Sequence, residues 1–337
     1  MEKYLFERDV FDRLYNCSYN VSDVPLEVRK HRVFGIALIA LSSIFELLTI
    51  PCVYAIGKNL KYASFKFMFY IAISDFFALW FTWSDGFLSL NGEVYCSSPA
   101  LTYICGMFAL AFWMAGSTSS MMLAMNRCVE LWSPRFGQML FSGKRPWIWL
   151  AMVTLYWSVT IFLGPVTVFN SAGMGYYFNP HFGYRNDIDG VFENFIFVFH
   201  NSTITIGLFI LYLLFLMSLV LKRQSYAPKA RSTKLPFMQI FAISGSSMLA
   251  SSIYLFMQFV TVNPGLIILA NFMWTCSHGM PSVIYLTMNE TVRRELRRTW
   301  KRLHGENVST AATTTSMKSS AQPKSMNSIS DANDSHA

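Results

Sequence analysis

The chain has 337 residues, of which 53% are hydrophobic and only 14% are charged, and its formal net charge is +8. A soluble domain with this composition would have too little polar surface to cover itself, so the composition excludes a soluble globular protein. The basic residues stand at the ends of apolar runs, which argues against nucleic-acid binding. No cofactor or metal site is predicted, because the six cysteines form no CxxC pair and no Cys/His cluster with zinc-ligand spacing.

Residues 1–32 are predicted to form a tail outside the membrane. This stretch is rich in charged residues and lacks the apolar segment of a cleavable signal peptide, so the first membrane span is expected to direct insertion. Two triplets in the tail, which begin at Asn16 and Asn20, match the acceptor motif for N-glycosylation. Both would be usable on a lumenal surface.

Seven apolar runs follow, each long enough to cross a bilayer, which takes about 20 residues. They cover residues 33–57, 67–90, 99–125, 146–169, 194–221, 235–262 and 265–288. The predicted fold is therefore an all-α membrane protein, in which residues 33–288 form a bundle of seven transmembrane helices.

The loops between the runs differ in charge. Arg127 apart, those after the first, third and fifth runs carry eleven basic residues. The opposite loops carry one, Arg185, together with acidic residues such as Asp85, which is counted with the loop because it lies near the end of the second run. The positive-inside rule thus predicts the amino terminus outside and the carboxyl terminus inside. Arg29, Lys30 and Arg32 next to the first run argue locally for the reverse, and the other loops outweigh them.

Residues 289–303 alternate apolar and basic positions at helical spacing. This pattern predicts a helix on the membrane surface, with its apolar stripe in the acyl boundary and its arginines among lipid headgroups. Residues 304–337 form a Ser/Thr-rich tail that cannot bury enough apolar surface to fold. Phosphorylation by a kinase would make it a negatively charged surface for an arrestin-like regulator, although a plain disordered tail is the simpler interpretation.

Two carboxyl groups lie deep inside the predicted spans, Glu46 in the first and Asp75 in the second. An ionisable residue at this depth is costly and is a functional candidate. If the first two spans are neighbours, the two groups would share a proton or hold a cation. The alternative is that each is satisfied by a hydroxyl group such as that of Ser42 or Ser277.

Arg127 ends an uncharged run that begins at Pro99. One interpretation is an arginine that snorkels to the interface and anchors the helix end. The other is a switch at the cytoplasmic face.

The seven spans, Asp75, the Asn126-Arg127-Cys128 triplet and the segment from Pro281 to Tyr285 together resemble a rhodopsin-like G-protein-coupled receptor. Three further motifs resemble the nematode serpentine receptors of class T, a chemosensory family. They are Phe45-Glu46-Leu47 with Ile50-Pro51-Cys52, Gly92-Glu93-Val94-Tyr95-Cys96-Ser97, and Ala124-Met125-Asn126-Arg127-Cys128-Val129-Glu130-Leu131. The resemblance covers residues 33–301. It implies a small-molecule ligand, a heterotrimeric G protein, contact with membrane lipids and a place in the plasma membrane, including that of sensory cilia.

The resemblance also assigns roles at the cytoplasmic end. Asn126 and Arg127 occupy the positions at which the rhodopsin-like pattern has an acidic residue followed by an arginine. Pro281 and Tyr285 resemble the proline and tyrosine of its NPxxY motif, with one extra residue between them. In the rhodopsin-like pattern the acidic residue restrains the arginine in the inactive state. Asn126 is neutral, so Arg127 must be restrained by another partner. Glu130, three residues after Arg127, is one candidate partner.

Cys96 resembles the cysteine that rhodopsin-like receptors join to their second outer loop. That loop has no cysteine here, and the other cysteine placed outside is Cys17. A disulfide between Cys17 and Cys96 is one hypothesis, and two unpaired thiols are the other.

The ligand site is expected among the outer halves of the third, fifth, sixth and seventh helices. The candidate residues are Tyr103, Trp113, His200, Asn201, Tyr254, Gln258 and Trp274. Packing within the bundle is the alternative for each of them. No carboxylate or lysine is expected to face this cavity, which favours a small ligand that is neutral or weakly polar.

Two other functions are compatible with seven helices. A metal-dependent hydrolase would need several histidines at one depth, but only His200 and His278 lie in spans, toward different leaflets. A heptahelical ligand-gated channel would have its amino terminus inside. The receptor is favoured, and no enzymatic activity is predicted.

Overall fold

The computed structural model describes residues 1–18, 24–183, 187, 190–222, 230–260 and 262–304. The chain divides into two units, Met1–Arg297 and Arg298–Ala337, and the helical bundle belongs to the first. The acceptor Asn20 and the predicted tail from residue 305 onward lie outside the described residues.

Twelve helices and two strands are described. The helices are α1 (Glu2–Phe6), α2 (Arg8–Leu14), α3 (Leu26–Arg29), α4 (Arg32–Gly57), α5 (Ala63–Asn91), α6 (Pro99–Trp132), α7 (Pro134–Phe141), α8 (Arg145–Leu163), α9 (Phe195–Lys222), α10 (Ala230–Phe256), α11 (Pro264–Met288) and α12 (Glu290–Leu303). The strands are β1 (Val168–Asn170) and β2 (Gly175–Tyr177).

Seven of the helices, namely α4, α5, α6, α8, α9, α10 and α11, correspond to the predicted spans. Within the described residues, six are long and apolar enough to cross a membrane, and α11 falls short in hydropathy. With 25 residues, α11 nevertheless exceeds the length needed. Its polar side chains, among them Asn271, Ser277 and His278, are buried in the bundle.

The bundle closes around α6, which packs against α5, α8, α9 and α10. Helix α4 packs against α5 and α11, and α10 packs against α9 and α11. Large apolar side chains such as Val33, Leu155 and Phe199 point outward and are exposed. This is the distribution expected when the solvent around the helices is lipid.

The fourth predicted span is wrong at its carboxyl end. Helix α8 ends at Leu163 rather than at residue 169, because Gly164 and Pro165 follow and neither favours a continuing helix. The apolar residues beyond it form β1, which pairs antiparallel with β2. A short buried strand and a helix end have the same apolar pattern, so the sequence did not separate them.

The β1–β2 hairpin lies against α6 at the end of the bundle that carries Met1, called here the amino-terminal face. At Gly106 a Cβ atom would come within 1.9 Å of the Thr167 carbonyl oxygen, so only glycine permits this approach. The Thr167 hydroxyl group donates a hydrogen bond of 3.0 Å to the Gly106 carbonyl. The hairpin is thereby held directly on the central helix.

The opposite face carries two helices outside the spans. Helix α7 was not predicted. Ser133 caps its amino-terminal end, where the serine hydroxyl group accepts a hydrogen bond from the Phe136 backbone N–H. Helix α12 agrees in extent with the predicted surface helix, and the Asn289 side chain caps it by accepting from the Val292 N–H at 3.1 Å. However, Val292 is buried and packs, with Leu296 beside it, in the apolar core of the bundle rather than in the acyl boundary.

Candidate ligand cavity and switch

A cavity of about 500 Å³ opens at the amino-terminal face. Its wall is built from α6, the hairpin, the loop before α9, and the ends of α9, α10 and α11 that lie at this face. It is lined by Ala109, Leu110, Trp113, Thr167, Tyr176, Tyr177, Phe178, Asn179, Phe182, Asp187, Phe192, Glu193, Asn194, Phe197, Tyr254, Met257, Gln258, Val262, Ile267 and Trp274. A concave and mainly aromatic wall with few polar groups is typical of a small-molecule site.

Four of the seven predicted ligand residues line this cavity: Trp113, Tyr254, Gln258 and Trp274. The other three do not line it. The Tyr103 ring packs 5.9 Å from that of Phe11, and the Asn201 amide oxygen accepts a hydrogen bond from the Trp113 indole N–H at 3.1 Å. His200 lines a separate groove of about 260 Å³ between α6, α8 and α9.

The residues missed by the sequence reasoning come mainly from the hairpin and the loop before α9. Tyr176 donates a hydrogen bond of 2.5 Å to the Asp85 carboxylate. Asp85 was assigned to an outer loop, but it lies within α5 and is buried. Burial, followed by the charge of Asp85, raises the pKa of the Tyr176 phenol, so the phenol keeps its proton. On the other side of the hairpin, the Asn271 amide donates to the Met174 carbonyl at 2.8 Å.

Carboxylates also face the cavity, contrary to the prediction. Asp187 and Glu193 are both part of the lining. They were missed because a loop of this length does not reveal, from its sequence, which of its side chains turn toward a cavity. The high density of aromatic residues between positions 176 and 197 was the available signal.

The amino-terminal segment lies beside the cavity. A disulfide joins Cys17 to Cys96, with the two Cα atoms 5.3 Å apart. The Tyr15 ring packs edge-on against that of Phe192, a cavity residue, at 6.3 Å. Burial raises the pKa of the Tyr15 phenol above its usual range. The disulfide thus holds this segment where it contacts the rim of the cavity.

Asp75 does not pair with Glu46. Its Oδ1 lies 2.8 Å from Nδ1 of His278 on α11, and both side chains are almost fully buried. The Glu46 Oε1 atom is buried without a hydrogen-bond partner among the described residues. The two hydroxyl groups suggested as partners do not bond to Glu46 or Asp75. Ser42 donates to the Leu38 carbonyl, and Ser277 donates to a carbonyl of its own helix.

The imidazole of His278 connects this pair with the cavity. Its ring centroid lies 4.8 Å from that of Trp274 and 6.0 Å from that of Trp113, and both tryptophans line the cavity. A displaced tryptophan would therefore press directly on the Asp75–His278 pair.

At the opposite face, Arg127 has two partners. Its guanidinium group donates to the Glu130 carboxylate at 2.9 Å and to the Ser64 hydroxyl group on α5 at 2.6 Å. The other oxygen of Glu130 accepts from the Asn126 amide at 3.0 Å. Glu130 therefore receives bonds from both neighbours within α6, while Ser64 connects the arginine to a second helix.

Pro281 and Tyr285 are both buried in α11. Tyr285 packs in an apolar cluster with Phe67 and Leu123, and its hydroxyl group has no hydrogen-bond partner among the described residues. The Cys52 thiol on α4 contacts the Ser282 carbonyl at 3.6 Å, next to the proline. This part of α11 is thus packed tightly between α4, α5 and α6.

Seven helices, of which the long α6 is central, with an aromatic cavity at one face and a paired arginine at the other, define a seven-transmembrane receptor with a rhodopsin-like fold. The crystal structure of squid rhodopsin is similar to it, with a TM-score of 0.60 over 83% of this chain and 87% of that one at 17% sequence identity. This similarity establishes the fold.

The chain belongs to the serpentine type 7TM GPCR chemoreceptor Srt family, whose model matches residues 3–307. It is similar to serpentine receptor class T-55 of Caenorhabditis elegans, with 22% identity over 290 residues, 83% of this chain and 78% of that one. It is therefore a multi-pass membrane receptor of a chemoreceptor family and not an enzyme. The part of the chain that the structure describes contains no group of three potential metal-ligating residues.

Proposed function

We propose that this receptor binds a small molecule in the cavity of about 500 Å³ and activates a heterotrimeric G protein at the opposite face. The observation that carries the proposal is that α6 holds both sites, Trp113 in the cavity wall and Arg127 at the other end. The two residues are 14 positions apart along the helix. At 1.5 Å per residue this is a separation of about 21 Å.

The contacts between the two sites supply a route for coupling. Trp113 and Trp274 contact His278, which is bonded to Asp75 on α5, and α5 also carries Ser64, the partner of Arg127. A ligand that binds better to one position of the tryptophans than to another would shift the balance between Arg127 bound to Ser64, as in the structure, and Arg127 released from it.

The same proposal places the amino terminus outside the plasma membrane, including that of sensory cilia. The tail (1–32) would face outward, residues 33–288 would form the receptor, and residues 289–303 would contact membrane lipids. Residues 304–337 would be a cytoplasmic substrate for a kinase and an arrestin-like regulator. The eleven basic residues in the loops after the first, third and fifth spans support this orientation.

Glycosylation tests the orientation. Asn16 lies in a described and solvent-accessible part of the tail, where Ser18 completes the acceptor triplet. In the receptor from eukaryotic cells we expect a glycan whose enzymatic removal lowers the apparent mass, and this shift should become smaller in Asn16→Gln. The matched control is Asn307→Gln in the predicted cytoplasmic tail, which should change nothing. A glycan at Asn307 and none at Asn16 or Asn20 would reverse the orientation.

The ligand role is tested by filling the cavity. Ala109 is buried and lines it, so Ala109→Phe would place a ring in space that a ligand needs. In a second-messenger screen against small odorants and secreted metabolites, we expect active compounds to lose at least about tenfold in potency, equivalent to about 1.4 kcal/mol. Leu155→Phe, at an outward-facing position of α8, is the control. Equal potency in both variants would place the ligand elsewhere.

Ser64→Ala is expected to raise ligand-independent signalling. The substitution removes the hydroxyl group that accepts from Arg127 and leaves the rest of α5 unchanged. If the hydrogen bond stabilises the inactive state by about 1 kcal/mol, its loss increases the population of the active state about fivefold, provided that this population is small without ligand. The control is Ser84→Ala on the same helix, whose hydroxyl group donates to the Trp80 carbonyl of its own helix. Basal activity that is equal in the two variants would show that Ser64 does not restrain Arg127.

A further inference from the structure

We propose that the cavity selects organic cations, namely compounds with a protonated amine on an apolar body. This inference rests on the proposed function of the cavity and names its ligand class. It follows from the charges, the hydrogen bonds and the aromatic rings of the wall.

The charges in the wall have one sign. Among the described residues that line the cavity, Asp187 and Glu193 are acidic, and none is Lys, Arg or His. Arg185 and Asp189 both lie outside the described residues and have opposite charges. Residues 184–193 therefore carry a net charge of −2 in the sequence. A carboxylate or phosphate ligand would be repelled by Asp187 and Glu193, and none of the described lining residues is a base that could compensate.

The loop holds one of these acids in place. The two carboxylate oxygens of Asp187 accept hydrogen bonds of 2.9 Å from the backbone N–H groups of Val191 and Phe192. These bonds fix the carboxylate at the rim and leave lone pairs for a further donor. Glu193 is exposed beside it and is free to turn toward an entering ammonium group.

A buried acid, Asp85, lies directly behind the wall. Tyr176 lines the cavity and donates its hydroxyl proton to the buried Asp85 carboxylate at 2.5 Å. Because this hydrogen bond uses the one hydroxyl proton of Tyr176, the Tyr176 oxygen can only accept a hydrogen bond from a ligand in the cavity. An ammonium group is a pure donor and suits such an acceptor.

The remaining wall is aromatic. Trp113, Trp274, Tyr177, Phe178 and Phe197 all line the cavity. The faces of such rings attract a cation, by about 0.5–2 kcal/mol per well-placed ring, and they also bury an apolar body. A neutral compound of the same shape would retain the apolar contacts but lose the attraction of the acids and rings for charge.

The test uses matched probes on the purified full-length receptor without G protein. A panel of aryl- and alkylamines is compared with the neutral alcohol and the carboxylic acid of the same skeleton, and binding is measured by thermal shift and calorimetry at pH 7. We expect the amines to bind at least about tenfold more tightly than their alcohols, with no binding by the acids. Alcohols or acids that bind as well as the amines, or a panel in which no amine binds, would overturn the proposal.

Variants show whether the acids are responsible. Glu193→Gln and Asp187→Asn should each weaken amine binding several-fold and leave alcohol binding unchanged. Asp12→Asn, an exposed acid of α2 that pairs with Arg8, should leave both unchanged and is the matched control. Equal losses for amines and alcohols would indicate a purely structural effect and contradict the proposal.

The two proposals fail in different ways. Amine binding without stimulated nucleotide exchange on any G protein would contradict the signalling function and leave the ligand class intact. Signalling driven through the cavity by neutral compounds would retain the function and contradict the ligand class.

Discussion

Arg127→Ala is expected to abolish G-protein activation while the receptor still reaches the cell surface. In the structure the guanidinium group is held by Glu130 and Ser64 near the end of α6, and the side chain is 24% exposed. If its release is what presents it to the G protein, alanine removes the signal but not the fold. Nucleotide exchange and surface labelling of an amino-terminal epitope, measured in the same cells, provide the two readouts.

Two further arginine variants separate the switch from a membrane anchor. Arg127→Lys keeps the positive charge and the long aliphatic chain that can snorkel. It lacks the planar guanidinium group that donates to Glu130 and Ser64 at once, so we expect most of the G-protein activation to be lost. Arg135→Ala, at an exposed position of α7, should signal normally. If Arg127→Ala instead prevents surface expression and Arg127→Lys restores it together with full signalling, Arg127 is an anchor.

His278→Leu is expected to destabilise the receptor more than any surface substitution. The buried Asp75 carboxylate would lose its partner at 2.8 Å, and an uncompensated charge in a buried site costs about 3–5 kcal/mol. Thermal unfolding of the purified receptor should show a clearly lower transition temperature. Ligand-stimulated signalling should fall as well, because the contact from the cavity tryptophans to α5 is removed.

The double variant Asp75→Leu/His278→Leu is the decisive comparison. Replacing both members of a buried pair with apolar residues of similar volume is often close to neutral for stability. The double variant should therefore recover much of the lost transition temperature but not the signalling. Additive losses in the double variant would show that the two residues act independently and that their bond has no role in stability.

Most of the bundle was predictable because apolar runs and membrane thickness are local properties. Six of the seven predicted spans overlap α4, α5, α6, α9, α10 and α11, with ends that differ by up to seven residues. The third span was predicted to end too early, and the sixth was predicted too far toward the carboxyl terminus, since α6 ends at Trp132 and α10 covers Ala230–Phe256. The prediction of the fourth span was wrong at its carboxyl end, because the residues of β1 are as apolar as those of a membrane helix. The short helices α1, α2 and α7 have no such signal.

The candidate sites were less predictable, because each depends on which side chains meet across helices. Asp75 was identified as a costly buried group, but its partner His278 is 203 positions away. The sequence suggested Glu46 instead, since a short loop makes the first two spans neighbours without specifying which faces turn together. Glu130 was identified because it lies on the same helix as Arg127, whereas Ser64 on α5 was not.

The sequence by itself determined the class of protein, the number of spans and their approximate positions, the basic loops, and Arg127 as the charge near the end of the central helix. These features follow from the cost of placing polar groups in lipid, which acts on each segment separately. Only the tertiary structure decided which rings and acids surround the cavity, that Asp85 lies behind Tyr176, and that His278 pairs with Asp75. Such contacts are decided by how the helices rotate and how the loop folds back over them, and packing of the whole bundle determines both.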